Sequence, residues 1–219
     1  MRKKHEALRG SEVTMLVPPL ETERLLIRAF RLEDLDVIHH MLDIELGTAD
    51  FGSEQAKTRE ERERWLQWTV LSYDELAKLY QPPYGDRAVV LKSTQQVIGA
   101  CGFVPSLGPF GHLPSLRAAS QDAFAHLYSP ELGLYYALSP AYQRQGYATE
   151  AAQALINYAF TQLHLKRIVA TTTSENVASI GVMRKVGMRI EKNPSPDPPG
   201  FQVVGILENR PDHGLPTGS

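Results

Sequence analysis

A polar turn with one cation and one glycine runs directly into an amphipathic helix. The turn reads Gln143-Arg144-Gln145-Gly146-Tyr147-Ala148. Helical spacing then gives an apolar stripe, made of Ala148, Ala151, Ala152, Leu155, Ile156, Ala159 and Leu163. The first N–H groups of a helix have no internal partner and carry the positive end of the helix dipole. The sequence therefore predicts that a phosphate or pyrophosphate can lie at this turn.

Two residues of the turn fit such a ligand. Gly146 lets the backbone approach closely because it has no Cβ, and Arg144 adds a positive charge. The spaced glycines of a Walker loop and of a dinucleotide fingerprint are missing. From spacing alone, an anion site and an ordinary strand-to-helix turn both remain open.

Composition excludes several other functions. The 219 residues carry a formal net charge of −2, with 23 basic and 25 acidic side chains, so no basic field predicts nucleic-acid binding. Cys101 is the single cysteine, and no Cys/His cluster has metal-ligand spacing, so neither a disulfide nor a metal site is expected. No apolar run has the length of a signal peptide or a membrane span, which predicts a cytoplasmic protein without membrane contact.

The order of elements predicts a single α/β domain. Strand and helix signals follow the order β-α-α-β-β-β-α-β-α-β-β, which indicates a mixed sheet with helices on both faces. The domain is expected over residues 20–210, after a flexible lead-in over 1–19 and before a disordered tail over 211–219. The second helix is predicted to begin at Thr58 with a capping box, to carry Trp65, Trp68 and Leu71 along its length toward Leu76 and Leu79, and to present a solvated charged run, "REERER".

One connection is unusually long. Ser106–Pro130 lies between two predicted strands and carries scattered glycine and proline together with apolar residues. A connection of this length in a compact domain is usually functional or disordered. Its apolar content predicts that it packs over the side of a cleft where a second substrate would bind, or that it packs against a partner subunit.

Two motifs together resemble the GNAT superfamily of N-acetyltransferases. "QRQGYA" matches its pyrophosphate loop, and "LSPAYQRQGYATEAA" resembles the branch that acetylates N-termini of ribosomal proteins. "SENVASIGVMRKVGM" is similar to the second motif of that branch, with Met188 in place of the usual Phe, and "LETERLLIRAFRLEDLD" resembles its first strand and helix. The resemblance covers about residues 20–209 and implies a mostly antiparallel twisted sheet.

The resemblance implies how acetyl-CoA binds. Backbone N–H groups would hold the pyrophosphate at Gln143, Arg144, Gln145, Gly146, Tyr147, Ala148 and Thr149. The open edge of the preceding strand would pair with the pantetheine arm at Tyr136, Ala137 and Leu138. Asn176 would reach the pantetheine, although its position also fits a plain helix N-cap.

The resemblance also implies catalytic roles. Ser179 would protonate the departing thiolate or be a plain surface hydroxyl, and Met183 occupies the place of a tyrosine that many relatives use. A neutral amine needs a base, and Glu131 at the start of a strand is our candidate, with His112 and His126 as alternates. A backbone N–H near Leu138 would bind the oxyanion.

The implied function is therefore acetyl transfer from acetyl-CoA to a primary amine by direct attack through a tetrahedral intermediate. The amine would belong to a protein N-terminus or to a small molecule. The final strands could pair in a homodimer. An acyl-CoA-binding sensor or interaction module on the same fold is the alternative, because the two motifs alone do not assign an acid and a base.

Overall fold

An eight-stranded sheet and four α-helices make up the part of the chain that the computed structural model describes, residues 17–47, 56–117, 127–194 and 197–209. The strands are β1 (Leu20–Glu21), β2 (Leu25–Ala29), β3 (Gly85–Leu91), β4 (Gln96–Gly108), β5 (Ser129–Leu138), β6 (Arg167–Thr172), β7 (Arg189–Lys192) and β8 (Val203–Glu208). The helices are α1 (Leu35–His39), α2 (Arg59–Lys78), α3 (Tyr147–Thr161) and α4 (Val177–Lys185). A π-helical turn (His40–Glu45) continues α1. None of the described helices has the length and apolarity needed to cross a bilayer.

The sheet is antiparallel except at one junction. Its order is β1-β2-β3-β4-β5-β6-β8-β7, and β5 and β6 run parallel. These two strands share a single residue pair, Gly133 with Val169. Beyond that pair the strands diverge toward their carboxyl ends. The predicted α/β fold, a mostly antiparallel sheet with helices on both faces, is confirmed.

Each face of the sheet has its own core. The α3 and α4 side buries Leu25, Ile27, Val89, Leu91, Ile98, Cys101, Phe103, Leu132, Leu134, Leu138, Ile168 and Ala170 against the helices. The α1 and α2 side buries Phe30, Leu35, Ile38, Met41, Leu42, Leu66, Ala88, Val90 and Ala100. Successive residues of a strand alternate between the two cores, because strand side chains have a period of two. The predicted apolar stripe of α3 faces its core as expected.

The predicted start of α2 is confirmed, and the structure shows which of its residues face the sheet. Thr58 caps the helix and forms the capping box with Glu61. Trp68 and Leu71 are 62% and 66% exposed, while Arg62 is buried. The buried positions of the helix also include Leu66, Thr69 and Ser72.

A buried ion pair joins α2 to the π-helical turn that follows α1. Arg62 donates to both carboxylate oxygens of Asp43 at 2.7 Å, and the two side chains are only 8% and 4% exposed. The backbone N–H of Lys57 donates to the same carboxylate at 2.9 Å. Burial acts to raise the pKa of Asp43, but these hydrogen bonds outweigh it and hold the pKa below its ordinary value. The predicted solvated run thus contains one buried cation.

The described part of the long connection packs on the sheet. Ser106–Gly108 belongs to β4 and Ser129–Pro130 to β5, so both flanking strands are longer than predicted. Phe110 and Leu113 are buried on the same sheet face as α1 and α2, in a cluster with Val169, Phe201, Val204 and Ile206. Residues 118–126 lie outside the described part of the chain.

The Arg62–Asp43 pair is expected to contribute strongly to stability. Replacing Arg62 by Met leaves an unpaired buried carboxylate, which costs about 3–5 kcal/mol of unfolding free energy. Urea denaturation at pH 7 measures this. The control is Arg59→Met, because Arg59 pairs with Asp36 at the surface, where the two side chains are 52% and 81% exposed. Equal effects of the two substitutions would contradict the assignment.

Candidate active site

The divergence of β5 and β6 opens a cavity of about 670 Å³. One wall is the carboxyl half of β5, from Leu134 to Leu138. The other walls come from the turn before α3, the end of β6 and one face of α4. Of the predicted site residues, the cavity is lined by Tyr136, Ala137, Leu138, Gln143, Arg144, Gly146, Ala148, Thr149, Asn176 and Ser179. Gln145 and Tyr147 belong to the same turn without lining the cavity.

The backbone of β5 presents polar groups to this cavity at alternate residues. The carbonyl oxygen of Ala137 lies against Gly99 of β4, and the next N–H on that side, from Ser139, donates to Ile98 at 3.0 Å. By alternation, the N–H and C=O groups of Tyr136 and Leu138 point toward the opening. Ala137 was predicted to pair with the ligand through its backbone, but that backbone faces β4.

The turn before α3 has left-handed backbone at two positions. Arg144 has φ 62° and Gly146, the N-cap residue, has φ 87°. The first bond of the helix runs from the N–H of Glu150 to the carbonyl of Gly146 at 3.0 Å. In the described part of the chain, no hydrogen bond uses the backbone N–H groups of residues 144–149. A set of unpaired donors therefore surrounds the positive end of the helix dipole.

A network from the β1–β2 corner holds this turn in place. Arg24 Nε donates to Glu150 Oε2 at 2.7 Å, and Thr22 Oγ1 donates to Glu150 Oε1 at 2.6 Å. Arg24 Nη1 also donates to the carbonyl of Gln145 at 3.1 Å, and the guanidinium lies 4.4 Å from the ring centre of Tyr147. Burial acts to raise the pKa of Glu150, but hydrogen bonds from Thr22 and Arg24 outweigh it and lower that pKa. Glu150 therefore stays charged, and Arg24 neutralises it beside the anion site.

Two cations remain available at the site. Arg144 and Lys185 both line the cavity and are exposed. Within the described ranges, neither makes an ion pair. Lys185 also lines an adjoining open groove of about 830 Å³ between β1 and α3, which meets the cavity at Gly146 and Thr149. Sequence reasoning missed Lys185, because a basic residue in the last turn of a helix also fits the helix dipole.

The start of α4 carries the predicted second motif. Asn176 caps the helix, and its Oδ1 accepts the N–H of Ser179 at 2.9 Å. The Ser179 Oγ lies 3.0 Å from the Tyr136 Oη. Met183 is 1% exposed and packs in the core against Gly205. Asn176 is therefore the N-cap of α4 through its Oδ1. Its Nδ2 has no partner among the described residues.

The predicted base lies outside the cavity. Arg167 donates to both carboxylate oxygens of Glu131, from Nε at 3.0 Å and from Nη2. His112 lies in the connection beside buried Phe110 and does not line the cavity, and His126 lies outside the described residues. Among the described residues that line the cavity, none carries a carboxylate or an imidazole.

Cys101 is a core residue, as its position in the β4 strand predicted. Its side chain is fully buried, and burial raises the pKa of the thiol. The thiol therefore stays protonated and does not reach the cavity. The fold therefore offers no exposed nucleophile at this position.

These features define an α/β protein with a cleft between two parting strands and unpaired helix N-terminal N–H groups at one end of it. Residues 24–189 match the family model of an acetyltransferase (GNAT) domain. Over 176 residues the chain is 30% identical to the uncharacterized N-acetyltransferase YnaD of Bacillus subtilis. The aligned region covers 78% of this chain and 83% of that protein. The chain therefore belongs to the GNAT family and is an N-acetyltransferase.

Solved structures agree with this fold. A GNAT-family acetyltransferase from Bacillus anthracis superposes with a TM-score of 0.62 at 23% identity, covering 87% of this chain and 98% of that one. RimL, a ribosomal L7/L12 alpha-N-protein acetyltransferase solved with coenzyme A, gives a TM-score of 0.57 at 16% identity, covering 84% and 93%. At these identities the similarity concerns the fold.

The ion pair of Glu131 indicates a structural role, which a substitution can separate from the predicted role as base. Glu131→Gln should lower the unfolding free energy by about 1–3 kcal/mol, because it weakens hydrogen bonds to a charged partner. Acetyl transfer by the folded variant should stay close to wild type. Arg167→Gln is the matched control and should show the same pattern. A loss of transfer near 10²-fold in Glu131→Gln alone, without loss of stability, would instead identify Glu131 as the base.

Proposed function

We propose that this protein transfers an acetyl group from acetyl-CoA to a primary amine by direct attack through a tetrahedral intermediate. One observation carries the proposal. A free strand edge and a helix N-terminus with unpaired donors line the same cavity. The first suits the amides of a pantetheine arm and the second suits a pyrophosphate.

The residues present fit acetyl-CoA. The outward N–H and C=O groups of Tyr136 and the outward N–H of Leu138 can pair with the pantetheine as a neighbouring strand would, while the carbonyl of Leu138 already accepts from Gln143 Nε2 at 3.0 Å. The N–H groups of the α3 turn suit the pyrophosphate, with Arg144 and Lys185 supplying positive charge. A Cβ at Gly146 would lie 3.3 Å from Arg24 Nη2, and the left-handed φ of 87° also favours glycine at this position.

The chemistry follows from this placement. The amine nitrogen attacks the thioester carbonyl, and the developing oxyanion accepts a hydrogen bond from an outward N–H of β5 near Leu138. The amine must lose a proton to complete the reaction. Since no carboxylate or imidazole is found among the described lining residues, we assign this proton to water in the cleft.

The acceptor enters from the α1 side of the sheet in this proposal. Leu46, which follows the π-helical turn after α1, lines the cavity, and so does Tyr135, which packs against the α1 and α2 core. The cavity therefore passes between the two faces of the sheet. The described part of the long connection packs on the same face of the sheet as α1 and α2, and in this proposal it influences which amine is accepted. The acceptor class is a primary amine of a protein N-terminus or a small molecule.

The anion site can be tested with two substitutions of equal size. Asparagine and aspartate both tolerate the left-handed backbone of Gly146, but only aspartate adds a negative charge beside the pyrophosphate. We expect Gly146→Asp to bind CoA at least about tenfold more weakly than Gly146→Asn, a difference of about 1.4 kcal/mol. Isothermal titration calorimetry measures both affinities. Equal affinities in the two folded variants would show that no phosphate lies at this turn.

Activity is tested by thiol release from acetyl-CoA over a panel of amines. The panel contains a short peptide with a free N-terminus, a polyamine, an aminoglycoside and hydroxylamine. We expect thiol release that depends on at least one amine, with the acetylated amine recovered by mass spectrometry. Tight acetyl-CoA binding without transfer to any panel member would favour the alternative, an acyl-CoA-binding sensor.

A further inference from the structure

A phenol and an aliphatic hydroxyl form a hydrogen-bonded pair inside the cavity. The Oη of Tyr136 lies 3.0 Å from the Oγ of Ser179 and 3.0 Å from the carbonyl oxygen of the same residue. Asn176 fixes the position of Ser179 by accepting its backbone N–H at 2.9 Å. All three residues line the cavity. The pair is therefore held from two separate elements, β5 and the start of α4.

Counting donors shows two arrangements of this pair. The carbonyl of Ser179 can only accept, and the phenol has a single proton. In the first arrangement, the phenol donates to the carbonyl and the serine hydroxyl donates to the phenol, so no proton points into the cavity. In the second arrangement, the phenol donates to the serine Oγ, and the serine hydroxyl is free to donate to a ligand. A new anion in the cavity favours the second arrangement, because chains of hydrogen bonds polarise one another.

We propose that Tyr136 supplies the proton that the departing thiolate of coenzyme A takes up, and that this proton reaches the sulfur through Ser179. The inference rests on the proposed function, which places a thioester beside β5 and α4. It assigns to the Tyr136 side chain a role in addition to the backbone contact with the pantetheine. Ser179 touches the sulfur, and Tyr136 acts through Ser179.

The step balances as follows. The carbon–sulfur bond of the tetrahedral intermediate breaks, and its electron pair goes to sulfur. The Ser179 hydroxyl gives its proton to the sulfur while it takes the proton of the Tyr136 phenol. The phenolate then regains a proton from water, in exchange for the proton that the amine released to water. The products are the acetylated amine, free coenzyme A and an unchanged enzyme.

Acidity explains why the phenol is needed. A thiol has a pKa of about 8.5 and a phenol of about 10, so proton transfer between them is nearly balanced. An aliphatic hydroxyl is about as weak an acid as water, with a pKa far above those of a thiol and a phenol, and cannot supply the proton alone. Burial raises the pKa of Tyr136, although the hydrogen bond with Ser179 opposes the rise, so the phenol is protonated at neutral pH.

The test compares two tyrosines that differ in location. Tyr136→Phe keeps the ring and removes the hydroxyl. Its control is Tyr73→Phe, because the Tyr73 hydroxyl also makes two buried contacts, with the N–H of Phe30 and the carbonyl of Asp86, but lies away from the cavity. With the fastest amine of the panel and saturating acetyl-CoA, we expect Tyr136→Phe to slow single-turnover transfer by about 10²-fold with an unchanged acetyl-CoA Kd. Tyr73→Phe should keep the wild-type rate.

Two further measurements test the route of the proton. Ser179→Ala should slow transfer about as much as Tyr136→Phe, and the double variant should be no slower than either, because both remove one relay. Replacing Tyr136 by difluorotyrosine makes the phenol more acidic. In the proposal, the transfer rate falls as pH rises through the pKa of the phenol, because the phenol loses its proton. The variant with difluorotyrosine should therefore show this fall at a lower pH than the wild type, and a packing role would not produce such a shift.

Several results would overturn the inference. These are a wild-type rate in Tyr136→Phe, a loss of acetyl-CoA affinity that accounts for its slower rate, or a pH profile unchanged by difluorotyrosine. A slow Tyr136→Phe beside a fully active Ser179→Ala would overturn the route through Ser179. A wild-type enzyme that binds acetyl-CoA but transfers to no amine would instead overturn the proposed function itself.

Discussion

The site depends on the separation of two parallel strands. β5 and β6 pair only through Gly133 and Val169, yet neither strand lacks support. β5 pairs with β4 along its whole length, from Ser129 to Leu138, and β6 pairs with β8 from Arg167 to Thr172. Because each strand is held on its outer side, the inner edges can part without loss of order. The result is a cleft lined by outward backbone groups of β5, and the proposed function places an extended ligand there.

The second half of the site depends on where α3 begins. The helix packs its apolar stripe on the sheet, which fixes its axis, while Arg24 and Thr22 fix its first turn through Glu150. Strand β2 and helix α3 are thereby joined across 126 residues of sequence. This network keeps a carboxylate near the anion site but neutralises it. The unpaired N–H groups and the free cations then set the local charge, although the whole protein has a slightly negative net charge.

Local sequence signals predicted the order of the elements and the turn before α3, because each signal lies within one segment. The order of strands and helices, the capping box of Thr58 and the apolar stripe of α3 all agree with the structure. Contacts between distant segments were not predictable. The pairs Arg62–Asp43, Arg167–Glu131 and Tyr136–Ser179 join residues 19, 36 and 43 positions apart.

These distant pairs changed three interpretations for one physical reason. A buried charge or hydroxyl needs a partner, and the partner fixes which way its element faces. Arg62 lies in the charged run that was predicted to be solvated, but it pairs with Asp43 in the interior, while Trp68 lies at the surface. Arg167 occupies the carboxylate of the predicted base, and Ser179 gains a phenol neighbour that makes it more than a surface hydroxyl. No periodicity in the sequence carries this information.

Amide hydrogen exchange measured by NMR tests most directly that one cavity holds the two parts of coenzyme A. Pantetheine alone should slow exchange at the outward amides of Tyr136 and Leu138, and adenosine diphosphate should slow it at Tyr147, Ala148 and Thr149. Coenzyme A should protect both sets together, while the edge strands β1 and β7 stay unchanged. Protection by coenzyme A at neither set, or at an unrelated surface, would contradict the account.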